Sequence, residues 1–199
     1  MKRFKLNMDN PDMDLIHKAI DILKDDGIIL YPTDTIYGLG ANIFSEKAVR
    51  KIYKIKQRPS EKPLSVLVSN YEGLSLVAEV SKKNEEIIKN YLPGPYTFIL
   101  KKRTIVPSIV TSYTSKVGVR IPDNTISRLL SMNFPITTTS ANISEEKVLT
   151  NPDDIVKQLK GDVDLIIDVG EINSPAPSTI IDLTGKKPVL VRKGKSSNN

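Results

Sequence analysis

The sequence predicts a single domain of the α/β or α+β class, built around a sizeable sheet. Three observations predict it. The chain has 199 residues, 39% of them hydrophobic, which suffices for one substantial core. Short apolar or alternating runs of strand length are interspersed with segments of helical period. No internal repeat, low-complexity linker or shift in composition divides the chain. One domain is expected over 1–199, with its core at about 12–194 and a disordered tail at 195–199.

Residues 14–24 place Leu15, Ile16, Ala19, Ile20, Ile22 and Leu23 at helical spacing, with His17, Lys18, Asp21 and Lys24 on the polar side. The apolar run 27–31 is a buried strand. After it, Thr33, Asp34, Thr35, Tyr37, Gly38 and Gly40 fall in what reads as a strand-to-helix loop, 31–41. Such loops bind ligands at the carboxyl ends of strands, and glycine lets backbone approach a ligand. A second amphipathic helix spans 45–56. Lys47, Arg50, Lys51 and Lys54 share its polar arc, and Ala48, Val49, Ile52 and Ile55 the opposite one. Segment 64–68 is a strand. A helix over 81–92 stops at Pro93-Gly94-Pro95. Strands follow at 96–101 and 116–120, a short helix at 125–132, and extended chain at 134–139. Asn151-Pro152-Asp153-Asp154 is a helix start: a cap, a proline at the first position and acids in the first turn. Strands at 163–169, 179–183 and 189–192 close the chain.

Several chemistries are excluded. Without cysteine there is no disulfide, thiol nucleophile or thiolate metal site. The sole histidine, His17, lies on a solvated helix face, so histidine triads and zinc clusters are out. Gly194-Lys195-Ser196 lacks the upstream glycine of a P-loop, and Gly38-Leu39-Gly40 lacks the third glycine of a dinucleotide fingerprint. No apolar run approaches the ~18 residues of a membrane span, so a soluble, cytoplasmic protein is expected. The formal charge is +6. Five of the 29 basic residues lie at 186–195 without an acid among them; the other 24 balance 23 acids. A second basic cluster spans 47–62. Such zones suit an anionic partner, nucleotide or nucleic acid.

Lys56 falls on the apolar arc of its helix and must reach a cleft or an anion. Arg58 follows just past the helix end. Phosphate binding and simple compensation of the helix dipole are both open to these cations; their position at the helix end predicts little packing role. Thr137-Thr138-Thr139-Ser140-Ala141-Asn142 sets small polar side chains where the chain leaves the sheet, a pattern an ordinary turn also satisfies. Ser178 precedes a strand and Arg192 ends one.

Taken together, these segments resemble the YrdC-type threonylcarbamoyl-AMP synthase family in its short, single-domain branch. The matching pieces are 31–41, 52–59, 62–67, 92–97, 117–122, 139–142, 177–180 and 192–194, in the family's order. The resemblance implies an α/β fold, a twisted mixed sheet with flanking helices around a large basic cavity. It implies a nucleotidyltransferase that makes threonylcarbamoyl-AMP and pyrophosphate from L-threonine, bicarbonate and ATP. The product would feed N6-threonylcarbamoyladenosine formation in tRNA through a threonylcarbamoyl-transfer machinery. Carried over by motif, Lys56 and Arg58 contact ATP phosphates. Thr33, Arg120, Ser140 and Ser178 hold threonine, and Lys116, Asn142, Thr150 and Arg192 line the nucleotide end. Mg²⁺ is expected with ATP, with no metal site of the protein's own. The chain departs from longer members in lacking a histidine over 64–69. An alternative is an RNA-binding module without adenylation activity. With only 6% aromatic residues to stack bases, RNA binding is expected to be weak at most.

Overall fold

A computed structural model describes residues 1–173 and 176–194; the tail 195–199 lies outside them. The strands are β1 (Lys2–Lys5), β2 (Ile29–Tyr31), β3 (Gly38–Gly40), β4 (Ser65–Leu67), β5 (Ala78–Glu79), β6 (Tyr96–Lys102), β7 (Lys116–Arg120), β8 (Ile136–Ser140), β9 (Leu165–Asp168), β10 (Thr179–Asp182) and β11 (Val189–Arg192). They form one mixed sheet in the order β1-β9-β2-β3-β8-β4-β7-β6-β10-β11, with β5 beside β6. The helices are α1 (Met13–Lys24), α2 (Glu46–Ile55), α3 (Tyr71–Val77), α4 (Lys82–Lys89), α5 (Thr125–Leu130) and α6 (Pro152–Gln158).

Helix starts follow the capping residues. Asp12 accepts from the N–H groups of Asp14 and Leu15, Ser45 from that of Ala48, and Asn151 from that of Asp153 beside Pro152. Successive strand residues face opposite sides, and the two sides carry different covers. Leu30 belongs to one core with Ile52 of α2, Leu74 of α3, Ile88 of α4 and Ile155 of α6. Its neighbours Ile29 and Tyr31 belong to a second core with Ile16, Ile20 and Leu23 of α1 and Ile126 and Leu130 of α5. Four helices therefore cover one face. Two cover part of the other and leave the rest open.

Three expectations are corrected. The core does not begin near residue 12: β1 joins the sheet parallel to β9, Lys2 opposite Leu165. Its Lys-Arg-Phe-Lys composition carries no apolar run, because an edge strand needs only Phe4 turned inward. Arg3 faces outward, in ion pairs with Asp153 and Asp168. The 81–92 helix ends at Lys89, where Asn90 N–H turns to the carbonyls of Ile87 and Ile88. Segment 31–41 is not a strand-to-helix loop. Tyr31 pairs with Gly38 and Ile29 with Gly40, an antiparallel hairpin of β2 and β3. Its glycines make room for the Tyr31 ring, and Gly38 also lines the cavity on the open part of the second face. A Cβ on Gly40 would sit 2.8 Å from Tyr31 Cε1, closer than carbon atoms approach.

Candidate active site

The uncovered part of the second face is the floor of a cavity of about 630 Å³. Alternate residues build it: Lys116, Gly118 and Arg120 on β7, Thr97 and Ile99 on β6, Thr138 and Ser140 on β8, Ile180 and Asp182 on β10. The residues between them on β7, Val117 and Val119, belong to the opposite core. Gly118 keeps the floor flat, since a Cβ there would meet Ser65 Oγ at 2.8 Å. Five basic side chains line the cavity, Arg58, Lys62, Lys116, Arg120 and Arg192, against the acids Glu61 and Asp182. The cavity is electropositive and suited to a polyanion.

Arg58 is clasped at the wall: Nε donates to the Lys62 carbonyl and Nη2 to that of Pro63, both at 2.9 Å. Burial lowers its pKa from the ordinary arginine value. Across the cavity Arg192 donates to the Ser178 carbonyl at 3.0 Å, and Ser178 Oγ lies 2.8 Å from Thr97 Oγ1. Burial, then the charge of Arg120, lowers the Arg192 pKa. Lys116 Nζ holds Asp182 at 2.9 Å. Burial would raise the Asp182 pKa, but hydrogen bonds from Thr184 and Lys116 outweigh it and hold the carboxyl below its ordinary value.

Lys56 is 1% exposed and does not line the cavity. Its ammonium lies under the 140–142 turn and donates to Ser140 O at 2.5 Å, Asn142 O at 2.7 Å and Asn142 Oδ1 at 3.2 Å. The helix-end position thus has a packing role after all. Burial, then the Arg58 charge, pushes its pKa down to about 7. The three oxygens act the other way, since only the charged form has three protons to give them. Asn142 Oδ1 also accepts from Ser140 Oγ at 2.6 Å, and its Nδ2 donates to Glu146 O. Lys56 and Asn142 therefore brace the turn that carries Ser140 to the cavity.

Thr33 reaches the cavity edge, but its hydroxyl also fastens the hairpin loop. Oγ1 accepts from the N–H groups of Thr35 and Ile36 and donates to Ile36 O at 2.6 Å. Tyr37 Oη donates to Gly170 O at 2.8 Å, and burial pushes its pKa up to about 12. The loop holds Asp34 against Arg120 in a largely buried ion pair, with side chains 11% and 6% exposed. Three sequence candidates do not line the cavity: Lys56 and Asn142, which lie beneath the Ser140 turn, and Thr150, which donates to Glu171 at 2.6 Å. The sequence reading gave no role to Asp34, Lys62 or Thr97. For Thr97 the usable signal was period two, which sets it on the floor with Ile99. Among the described residues no cluster of His, Cys, Asp or Glu could hold a metal ion, and no helix is long and apolar enough to cross a membrane.

Comparison with known proteins agrees with this architecture. A family model named for Sua5, YciO and YrdC, described as "Telomere recombination", matches residues 21–194. A Methanocaldococcus jannaschii protein, provisionally named a threonylcarbamoyl-AMP synthase, is 42% identical over 89% of this chain and 86% of its own. The Pyrococcus abyssi threonylcarbamoyl-AMP synthase is 36% identical over 90% of this chain, which spans about half (54%) of that longer protein. The crystal structure of Pyrococcus abyssi Sua5 complexed with L-threonine superposes with a TM-score of 0.91 at 34% identity, over 98% of this chain and 58% of the other. Escherichia coli YciO, whose function is uncharacterised, superposes equally well, 0.91 at 33% identity, over 99% and 98% of the two chains. The fold is thus that of a Sua5-like domain, and in this chain it carries an open basic cavity on one face of the mixed sheet. The chain belongs to the Sua5, YciO and YrdC family.

Proposed function

We propose that this protein is an L-threonylcarbamoyladenylate synthase, a nucleotidyltransferase. The observation that carries the reading is one cavity with two ends. Arg120, Ser178 and Thr97 gather at one end; Arg58 and Lys116 line it further along. The first set suits an amino acid, and the relative crystallised with L-threonine supports threonine. The second suits a triphosphate. Bicarbonate and the threonine amine condense to a carbamate with loss of water. A carbamate oxygen then attacks the α-phosphorus of ATP, the bond to the β-phosphate oxygen breaks, and pyrophosphate leaves.

Adenylyl transfer demands positioning and charge neutralisation more than proton transfer, which fits a site rich in Arg, Lys and hydroxyls and without histidine. Arg58 and Arg192 meet the phosphates. Lys56 serves the same end by its charge and by fixing Ser140 and Asn142; Thr150 extends the nucleotide end beyond the cavity. Mg²⁺ arrives with ATP as part of the substrate, ligated by phosphates and water. The product is consumed by a threonylcarbamoyl-transfer machinery acting on tRNA. The RNA-module alternative is weakened by α2, where Lys47, Arg50 and Lys51 are paired with Asp26, Glu46 and Asp164. Incubation with ATP, L-threonine and ¹³C-bicarbonate tests the assignment: labelled threonylcarbamoyl-AMP is expected by mass spectrometry. Its absence, with ATP bound but unreacted, would refute it.

A further inference from the structure

The cavity floor is low at its middle. On β7 Arg120 and Lys116 stand on either side of Gly118, each roughly 7 Å from it along the strand, and Gly118 has no side chain to raise. Ser65 Oγ stands over this place, 2.8 Å from where a Gly118 Cβ would lie. The Ser65 backbone is paired on both sides, to Gly118 on β7 and to Thr138 on β8, so the hydroxyl is rigidly mounted. Ser65 lines the cavity and is half-buried. Its Oγ is open to solvent and has no hydrogen-bond partner among the described residues. Neighbouring hydroxyls are already engaged. Thr97 Oγ1 and Ser178 Oγ lie 2.8 Å apart, Ser140 Oγ donates to Asn142 Oδ1 at 2.6 Å, and Thr33 Oγ1 donates to Ile36 O at 2.6 Å. A fixed, unspent donor therefore stands between the end of the cavity suited to an amino acid and the end suited to a triphosphate.

The group that must form between those ends is the carbamate. Its carbon joins the amino acid nitrogen, and its two oxygens share one negative charge. One of them attacks the α-phosphorus; the other needs a donor. Resting on the synthase reading, we propose that Ser65 Oγ donates to the carbamate oxygen that does not attack ATP, and to the bicarbonate from which the carbamate forms. Glycine beneath and serine beside it leave room for a one-carbon oxyanion. The flanking cations have other partners, Arg120 in Asp34 and Lys116 in Asp182. The hydroxyl keeps its proton throughout. Its part is to hold and orient the oxyanion between the two larger substrates.

The test is pyrophosphate release by the full chain in carbonate-depleted buffer, with bicarbonate, L-threonine and ATP each varied in turn. Ser65→Ala deletes the hydroxyl and nothing else. It should raise the KM for bicarbonate by roughly 10- to 100-fold, the loss of a hydrogen bond to a charged group, and leave the KM for threonine and for ATP unchanged. Ser65→Thr keeps a hydroxyl and should recover part of the loss. Gly118→Ala, whose methyl crowds Ser65 Oγ, should raise the same KM and decides the matter if Ser65→Ala does not fold. An unchanged KM for bicarbonate in Ser65→Ala would overturn the inference. So would a rise shared equally by all three substrates, the mark of a merely structural change. Wild-type turnover indifferent to bicarbonate would instead remove the synthase reading, and this inference with it.

Discussion

Lys56 shows how one residue can serve stability and a site together. Its three protons go to Ser140 and Asn142, so Lys56→Met would leave buried oxygens without donors. An unsatisfied buried group costs about 1–3 kcal/mol, and we expect a loss of about 3 kcal/mol in urea denaturation, together with lost activity. Lys54→Ala, on the exposed arc, should change neither. The pKa of Lys56 adds a pH signature. It falls to about 7 in the folded protein from 10.5. Between those values the unfolded chain holds more protons, so this residue's contribution to stability rises with pH across that window and is least favourable below it. Wild type should therefore gain stability relative to Lys56→Met as the pH rises from about 7 to about 10; a constant difference would mean Lys56 stays charged throughout. Arg58, by contrast, lines the cavity and bonds only nearby carbonyls. Arg58→Ala should lower kcat/KM for ATP by a factor corresponding to several kcal/mol while leaving the Tm close to wild type.

At the scale of elements, the hairpin of β2 and β3 presents Thr33 to the cavity and Asp34 to Arg120, and its fit depends on the Tyr31 ring lying over Gly38 and Gly40. Gly40→Ala should overpack this contact and cost about 1–3 kcal/mol, read as a fall in Tm of a few degrees. This hairpin also marks where sequence reasoning stopped. Three residues of β3 with two glycines carry no strand signal, because their pairing comes from Tyr31 and from β8 rather than from propensity. β1 and β5 were silent for a similar reason: each is short and held by a neighbour. Strands with a buried apolar stripe were legible, and so was 189–192, which matches its strand residue for residue through its apolar run although its side chains are exposed. The wheel of α2 correctly put Lys56 on the buried arc. It could not say that the acceptors there would be protein carbonyls rather than phosphate, since those come from residues more than 80 positions away. The Arg120–Asp34 pair is equally long-range.

At the scale of the molecule, the positive charge is unevenly spent. Much of the α2 cluster is answered by acids, while the cavity keeps five basic side chains against two acidic ones. RNA should therefore bind weakly, compete with ATP, and lose affinity steeply as salt rises. A titration at low and physiological salt, repeated with saturating ATP and threonine, checks this. Tight, sequence-selective binding indifferent to ATP would favour an RNA module.

The central claim is that one cavity activates an amino acid carbamate with ATP. Pyrophosphate release, with L-threonine and bicarbonate omitted in turn, tests it most directly. The account predicts turnover only when both are present, with threonine preferred to serine by the modest factor one methyl group allows, about 1–3 kcal/mol. Turnover of the same size without threonine, or without bicarbonate, would contradict it.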